Sequence, residues 1–138
     1  MKTIRFASFI LAALLWGCAL GQTHQQEMLT KASALTKVAT ALEAAVRFRN
    51  APPDLSETEL LHRATSHDPD LLTPFQDHVL RARRADNLSS VLMCSKDGKT
   101  ALLEDAGCSP KFDEHLWERS PQLPCAFQLD LAKACAAP

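Results

Sequence analysis

Histidines beside carboxylates, five cysteines and a cluster of arginines are the residues of this chain with chemical potential. His62 and His67 stand five apart, and Asp68 and Asp70 follow. Imidazole nitrogens and carboxylate oxygens at such spacing are the donor set of a small metal-assisted hydrolase. Five residues of helix turn through about 500°, leaving two imidazoles roughly 140° apart. A metal site therefore requires a chain break, which Ser66-His67-Asp68-Pro69-Asp70 supplies. The same segment serves equally as a solvated loop between helices, and no metal is assigned to it. His78 follows Asp77, and His115 follows Glu114. Adjacent helical positions point apart, so neither pair is a ready dyad. The chain has no tyrosine, no G-x-S-x-G and no glycine-rich phosphate loop. No catalytic residue and no cofactor is assigned.

Cys94, Cys108, Cys125 and Cys135 fall in the last 45 residues, with 13, 16 and 9 residues between them. Zinc sites present ligands in close pairs such as C-x₂-C, which are absent here. An even cysteine count in an exported domain predicts two disulfides. Four cysteines allow three pairings, and closure of the shortest loops favours Cys94–Cys108 with Cys125–Cys135. Oxidised cysteines are not nucleophiles. The remaining candidates are binding groups. Arg81, Arg83 and Arg84 can meet an anionic partner, and Trp117 has the size of an interface anchor.

Export is legible at the N-terminus. Lys2 and Arg5 precede an apolar run from Phe6 to Trp16, followed by Gly17-Cys18-Ala19-Leu20-Gly21. The run is too short to cross a hydrocarbon core of about 30 Å, and residues 1–21 read as a signal peptide cleaved before Gln22. Leu15-Trp16-Gly17-Cys18 resembles a bacterial lipobox, which offers lipidation at Cys18 as a second route. Loss of Lys2 and Arg5 leaves 13 basic and 16 acidic residues, a net charge of −3. Such a balance argues against a general nucleic-acid binder.

Residues 22–138 read as a single small α+β domain. Met28, Ala32, Leu35, Ala39, Leu42 and Val46 repeat at 4-3 spacing, predicting a helix over 26–49 that Pro52-Pro53 stops. Leu29, Val38, Ala45 and Phe48 widen its apolar stripe. Ser56-Glu57-Thr58-Glu59 is a capping box for a helix over 57–65. Thr73-Pro74-Phe75-Gln76 offers a second, predicting a helix to about Arg84 that buries Phe75, Val79 and Ala82. Asp97-Gly98 between apolar runs predicts a hairpin pairing Cys94 with Ala101, Met93 with Leu102 and Leu92 with Leu103. A helix from Ser109-Pro110-Lys111 to Glu118, presenting Phe112, His115 and Leu116, a strand over 125–129 and a helical turn over 130–135 complete the expectation. The fold class is α+β: a helical N-terminal half packed on a small antiparallel sheet with a disulfide-bearing β-hairpin.

These features point to an exported bacterial envelope or secreted protein, periplasmic or outer-membrane anchored, acting as a non-enzymatic binding or adaptor module of inhibitor or immunity type. Its expected partner is another protein of the envelope or extracellular space, with membrane attachment only through Cys18 and no nucleic acid. The metal-assisted hydrolase built on His62, His67, Asp68 and Asp70 is one alternative. A structural subunit packing its long helix into an envelope assembly is the other.

Overall fold

The computed structural model describes residues 7–109 and 114–136, with side chains described from Gln22 onward. Processing before Gln22 and lipidation of Cys18 therefore concern side chains outside the described residues, as do Phe112 and Asp113. The elements are α1 (Ala7–Arg47), α2 (Glu57–Ala64), a 3₁₀ segment (Pro69–Phe75), β1 (Val79–Ala85), β2 (Leu88–Cys94), β3 (Ala101–Ala106), a 3₁₀ turn (Leu116–Glu118) and α3 (Leu131–Ala134). The chain divides into two compact units, Met1–Thr30 and Lys31–Pro138. The sheet and every disulfide lie in the second, whose architecture is α+β.

The predicted 4-3 stripe of α1 is buried at all six positions. Leu35 and Leu42 are fully buried, as are Val38 and Ala45, whereas Leu29 and Phe48 turn outward. The helix ends through Asn50, which takes a φ of 48°, while the Ala51 amide reaches back to the Ala45 carbonyl at 3.0 Å. Asparagine tolerates this left-handed position. Ser56 then caps α2 as its sequence predicts, with both reciprocal bonds of the capping box formed.

Three antiparallel strands form one sheet in the order β1-β2-β3. The predicted helix over 74–84 is instead the 3₁₀ segment followed by β1. Pro74 lies inside the 3₁₀ segment rather than opening an α-helix. Phe75 and Ala82 are buried as expected, but Val79 is exposed. Ala85 pairs with Leu88 across Asp86-Asn87, and Asp86 has a φ of 54°. That two-residue turn of Asp and Asn makes the hairpin. The Asp97-Gly98 hairpin keeps Cys94 opposite Ala101, but a bulge between Met93 and Cys94 moves Met93 to Leu103 and Leu92 to Glu104. One extra residue on a strand moves every later pair by one.

α1 closes one face of the sheet. Thr36 Oγ1 donates to Asp105 Oδ2 at 2.7 Å. Gly107 lies so close to the Ala39 carbonyl oxygen that a β-carbon there would overlap it. Val91 and Ala82 align with Asp105, and the buried Met93 and Leu103 follow two residues along. The opposite face carries Leu92, Cys94 and Ala101, packed with Leu116, Leu123, Cys125 and Phe127. The predicted strand over 125–129 is instead an irregular strap, bent at Cys125 and Ala126 and without strand pairing, anchored at one end by the Thr100–Pro124 bridge. The helix predicted to run to Glu118 is also corrected: Glu114 bridges Glu104, and among the described residues of that segment only Leu116–Glu118 are helical, as a single 3₁₀ turn. The turn over 130–135 forms as α3, with Asp130 as its cap.

The disulfides are Cys94–Cys125 and Cys108–Cys135, with Cα atoms 5.7 Å and 5.4 Å apart. The short-loop pairing is overturned: Cys94–Cys125 ties the strap to β2, and Cys108–Cys135 ties the end of α3 to the turn after β3. Two disulfides fit an oxidising compartment. Among the described residues, no helix is long and apolar enough to cross a membrane.

Candidate functional site

Arg81, Arg83 and Arg84 belong to β1, an edge strand, rather than to the end of a helix. All three line one open cleft of about 340 Å³, whose walls include Pro52, Pro53, Leu55, Glu57, Leu60 and Phe127. The second wall is placed by local sequence: Asn50 ends α1, Pro52-Pro53 prevents its continuation, and Ser56 starts α2 alongside β1.

The three guanidiniums are not equivalent. Arg81 makes a two-pronged ion pair with Glu57, Nε to Oε2 at 3.1 Å and Nη2 to Oε1 at 2.8 Å. Its Nη1 donates to the Cys125 carbonyl at 3.2 Å. The Glu57 hydrogen bond raises the Arg81 pKa further. Arg83 donates through Nη2 to the Leu129 carbonyl at 2.8 Å and, less closely, to Glu104 Oε1 at 3.4 Å. Its Nε reaches Ser90 Oγ at 3.3 Å. The Phe127 ring lies under both, with guanidinium carbons 5.4 Å and 4.6 Å from its centroid. Such cation–π contacts hold the ring in place.

Arg84 differs. Its Nε donates to the Asp86 carbonyl at 2.7 Å and its Nη1 to the Ala51 carbonyl at 2.6 Å. These bonds fix the guanidinium plane without neutralising its charge. No carboxylate among the described residues pairs with Arg84, and its two bonds leave the Nη2 donors unused.

Behind Arg83 sits Glu104, fully buried. Its Oε2 accepts from the Gln128 amide at 2.6 Å and the Leu129 amide at 3.1 Å. Burial pushes its carboxyl pKa up, opposed in part by those two amides, Arg83 and Ser90. Glu104 and Phe127 escaped the sequence reading. A lone Glu-Asp pair inside the apolar run of β3 was the available signal, since a strand buried on both faces seldom carries two acids.

The other candidates disperse. Trp117 is half-buried beside the core residue Leu116 and does not line the cleft. His67 borders a hollow with Arg63 and Arg49, whereas Asp68 and Asp70 border another with Lys37. His62 is exposed on α2. Among the described residues, no group of three or more His, Cys, Asp or Glu side chains is placed to hold a metal ion. No family model matches the sequence, and no curated protein or solved structure is significantly similar to it.

Proposed function

We propose that this chain is an exported bacterial binding module, of adaptor or inhibitor type, that meets a protein of the envelope or extracellular space through the cleft at the β1 edge. The observation that carries the reading is the convergence of Arg81, Arg83 and Arg84 on one cleft where Arg84 keeps an uncompensated charge. Rigid arginines beside apolar walls are favoured interface anchors. The oxidising compartment implied by the disulfides supports a periplasmic or secreted location, with a lipid anchor at Cys18 as the outer-membrane variant. Leu35 and Leu42, the seam of the proposed assembly helix, are fully buried within the chain and are not available to other subunits.

The test is affinity capture from the extracytoplasmic fraction of the source with wild-type, Arg84→Ala and Trp117→Ala proteins. A specific partner should be retained by wild type and Trp117→Ala and lost by Arg84→Ala at unchanged melting temperature. Undiminished capture by Arg84→Ala would move the contact surface elsewhere.

A further inference from the structure

Resting on that reading, we infer that the cleft takes a carboxylate on the free edge of Arg84, carried by a protein segment whose neighbouring apolar side chain lies against Pro52 and Pro53. Charge complementarity selects this occupant. The cleft is lined by three arginines and one acid, Glu57, and Glu57 is already engaged by Arg81. Arg83 is turned to the strap carbonyl of Leu129 and to buried Glu104. The unspent charge is therefore that of Arg84.

Geometry narrows the ligand further. Two short bonds to backbone carbonyls hold Arg84 before any ligand arrives, so little side-chain freedom remains to be lost on binding. Nη2 makes no bond within the chain, so the planar guanidinium keeps charged donors for a carboxylate acceptor. Pro52 and Pro53 are exposed on the facing wall and add an apolar surface that inorganic anions cannot use. A glutamate or aspartate side chain and a chain-terminal carboxylate share this chemistry.

The probes are three peptides: Ac-Leu-Glu-Leu-Glu-NH₂, its Gln counterpart Ac-Leu-Gln-Leu-Gln-NH₂, and Ac-Leu-Gln-Leu-Gln with a free C-terminal carboxylate. Each is titrated into full-length processed protein while the arginine Nε–H resonances are followed by NMR. The Glu peptide should shift the Arg84 signal saturably, and raising salt should weaken the effect. A response to the third peptide alone would assign the chain terminus as the carboxylate source. Arg84→Gln should weaken binding about tenfold or more. Arg84→Lys, which keeps the charge and loses the fork, should fall between. Both variants are checked by their amide spectra, and the wild-type Nε–H readout stands without them. Equal saturable binding of the neutral Gln peptide would overturn the carboxylate assignment while leaving the cleft as a binding surface. No saturable shift with any peptide would overturn the assignment of this cleft as a peptide site. Only failure of the affinity capture would sink the binding-module reading as a whole.

Discussion

The two faces of the β1-β2-β3 sheet are closed by different chemistry. Toward α1 lie Ala82, Val91, Met93 and Leu103, all buried, and the helix supplies Leu35, Val38 and Leu42 from a regular stripe. A polar contact, Thr36 to Asp105, interrupts that apolar layer. On the other face the cover is an irregular strap, and a chain outside helix and strand offers its own amides and carbonyls to the sheet. Those groups must be paired when buried. Glu104 takes the Gln128 and Leu129 amides, Arg83 the Leu129 carbonyl and Arg81 the Cys125 carbonyl. Two covalent links hold what apolar area alone does not. The difference teaches why the cleft is rich in arginine: two of its three guanidiniums, Arg81 and Arg83, fasten the strap, while Arg84 bonds only to the Asp86 and Ala51 carbonyls.

Removing the covalent links should have the largest effect. The bonds close sequence separations of 31 and 27 residues. Each is worth about 2–4 kcal/mol by restriction of the unfolded chain, a large share of a small domain's stability. Denaturant unfolding with and without reductant reads this loss. Hydrogen exchange should further show the Gln128 and Leu129 amides losing protection before those of Val91 and Leu103. Simultaneous loss on both faces would break the distinction between a helix-closed face and a strap-closed one.

The opposite face has its own sensitive point. A β-carbon at Gly107 would meet the Ala39 carbonyl and the Glu43 Cβ, both on the backbone-near side of α1. Backbone cannot move aside as a side-chain tip can, so Gly107→Ala should cost about 1–3 kcal/mol. The Arg84 Nε–H signal should be unchanged. A neutral or stabilising substitution, measured by thermal unfolding, would mean that α1 approaches the sheet less closely than described.

The same contrast explains which parts were legible in the sequence. The α1 stripe and the Ser56 capping box are local patterns, fixed by neighbours within four residues, and both form as read. Thr73-Pro74-Phe75-Gln76 carried an equally local helix signal, but β1 follows immediately and β2 pairs with it throughout. The overriding sign was the alternation of Leu80, Ala82 and Arg84 with Arg81 and Arg83, ended by Asp86-Asn87. The strap was illegible because its partners are remote: Glu104 lies 24 residues from Gln128. Disulfide pairing failed for the same reason, since loop length alone does not place a strap on a sheet. The spacing groups the three arginines on one short segment, but only the structure separates Arg84 from Arg81 and Arg83, which fasten the strap.

Titration of Glu104 sharpens the strap-face account. Burial raises its folded-state pKa above the unfolded value of about 4.3. The folded protein then holds the proton more tightly than the unfolded chain. This contribution to stability is complete below the unfolded pKa and is lost as pH rises through the folded pKa. Wild type should therefore lose stability relative to Glu104→Gln as pH rises from about 4 toward neutrality. A pH-independent difference between the two unfolding curves would show that the amides and Arg83 compensate the burial fully.

The smallest effect tests a site belonging to neither face. Ser56 Oγ accepts from the Glu59 amide at 3.3 Å and donates to Glu59 Oε2 at 2.6 Å, while the Ser56 amide donates to that same oxygen at 2.9 Å. The Ser56 side chain, then its backbone amide, lower the Glu59 pKa. Ser56→Ala removes the hydroxyl and leaves the backbone bond. The cap loss should cost about 1 kcal/mol. Glu59 should titrate higher than in wild type, though still below the ordinary carboxylate range. Its stabilising contribution, present above the unfolded pKa and lost as pH falls through the folded one, should shrink accordingly. Because α2 stands beside β1 and carries Glu57, the Arg81 Nε–H signal is the internal control. It should stay in place if the capping box acts only on the first turn of α2. A shift there, together with a change at Arg84, would show that the capping box also sets the width of the cleft.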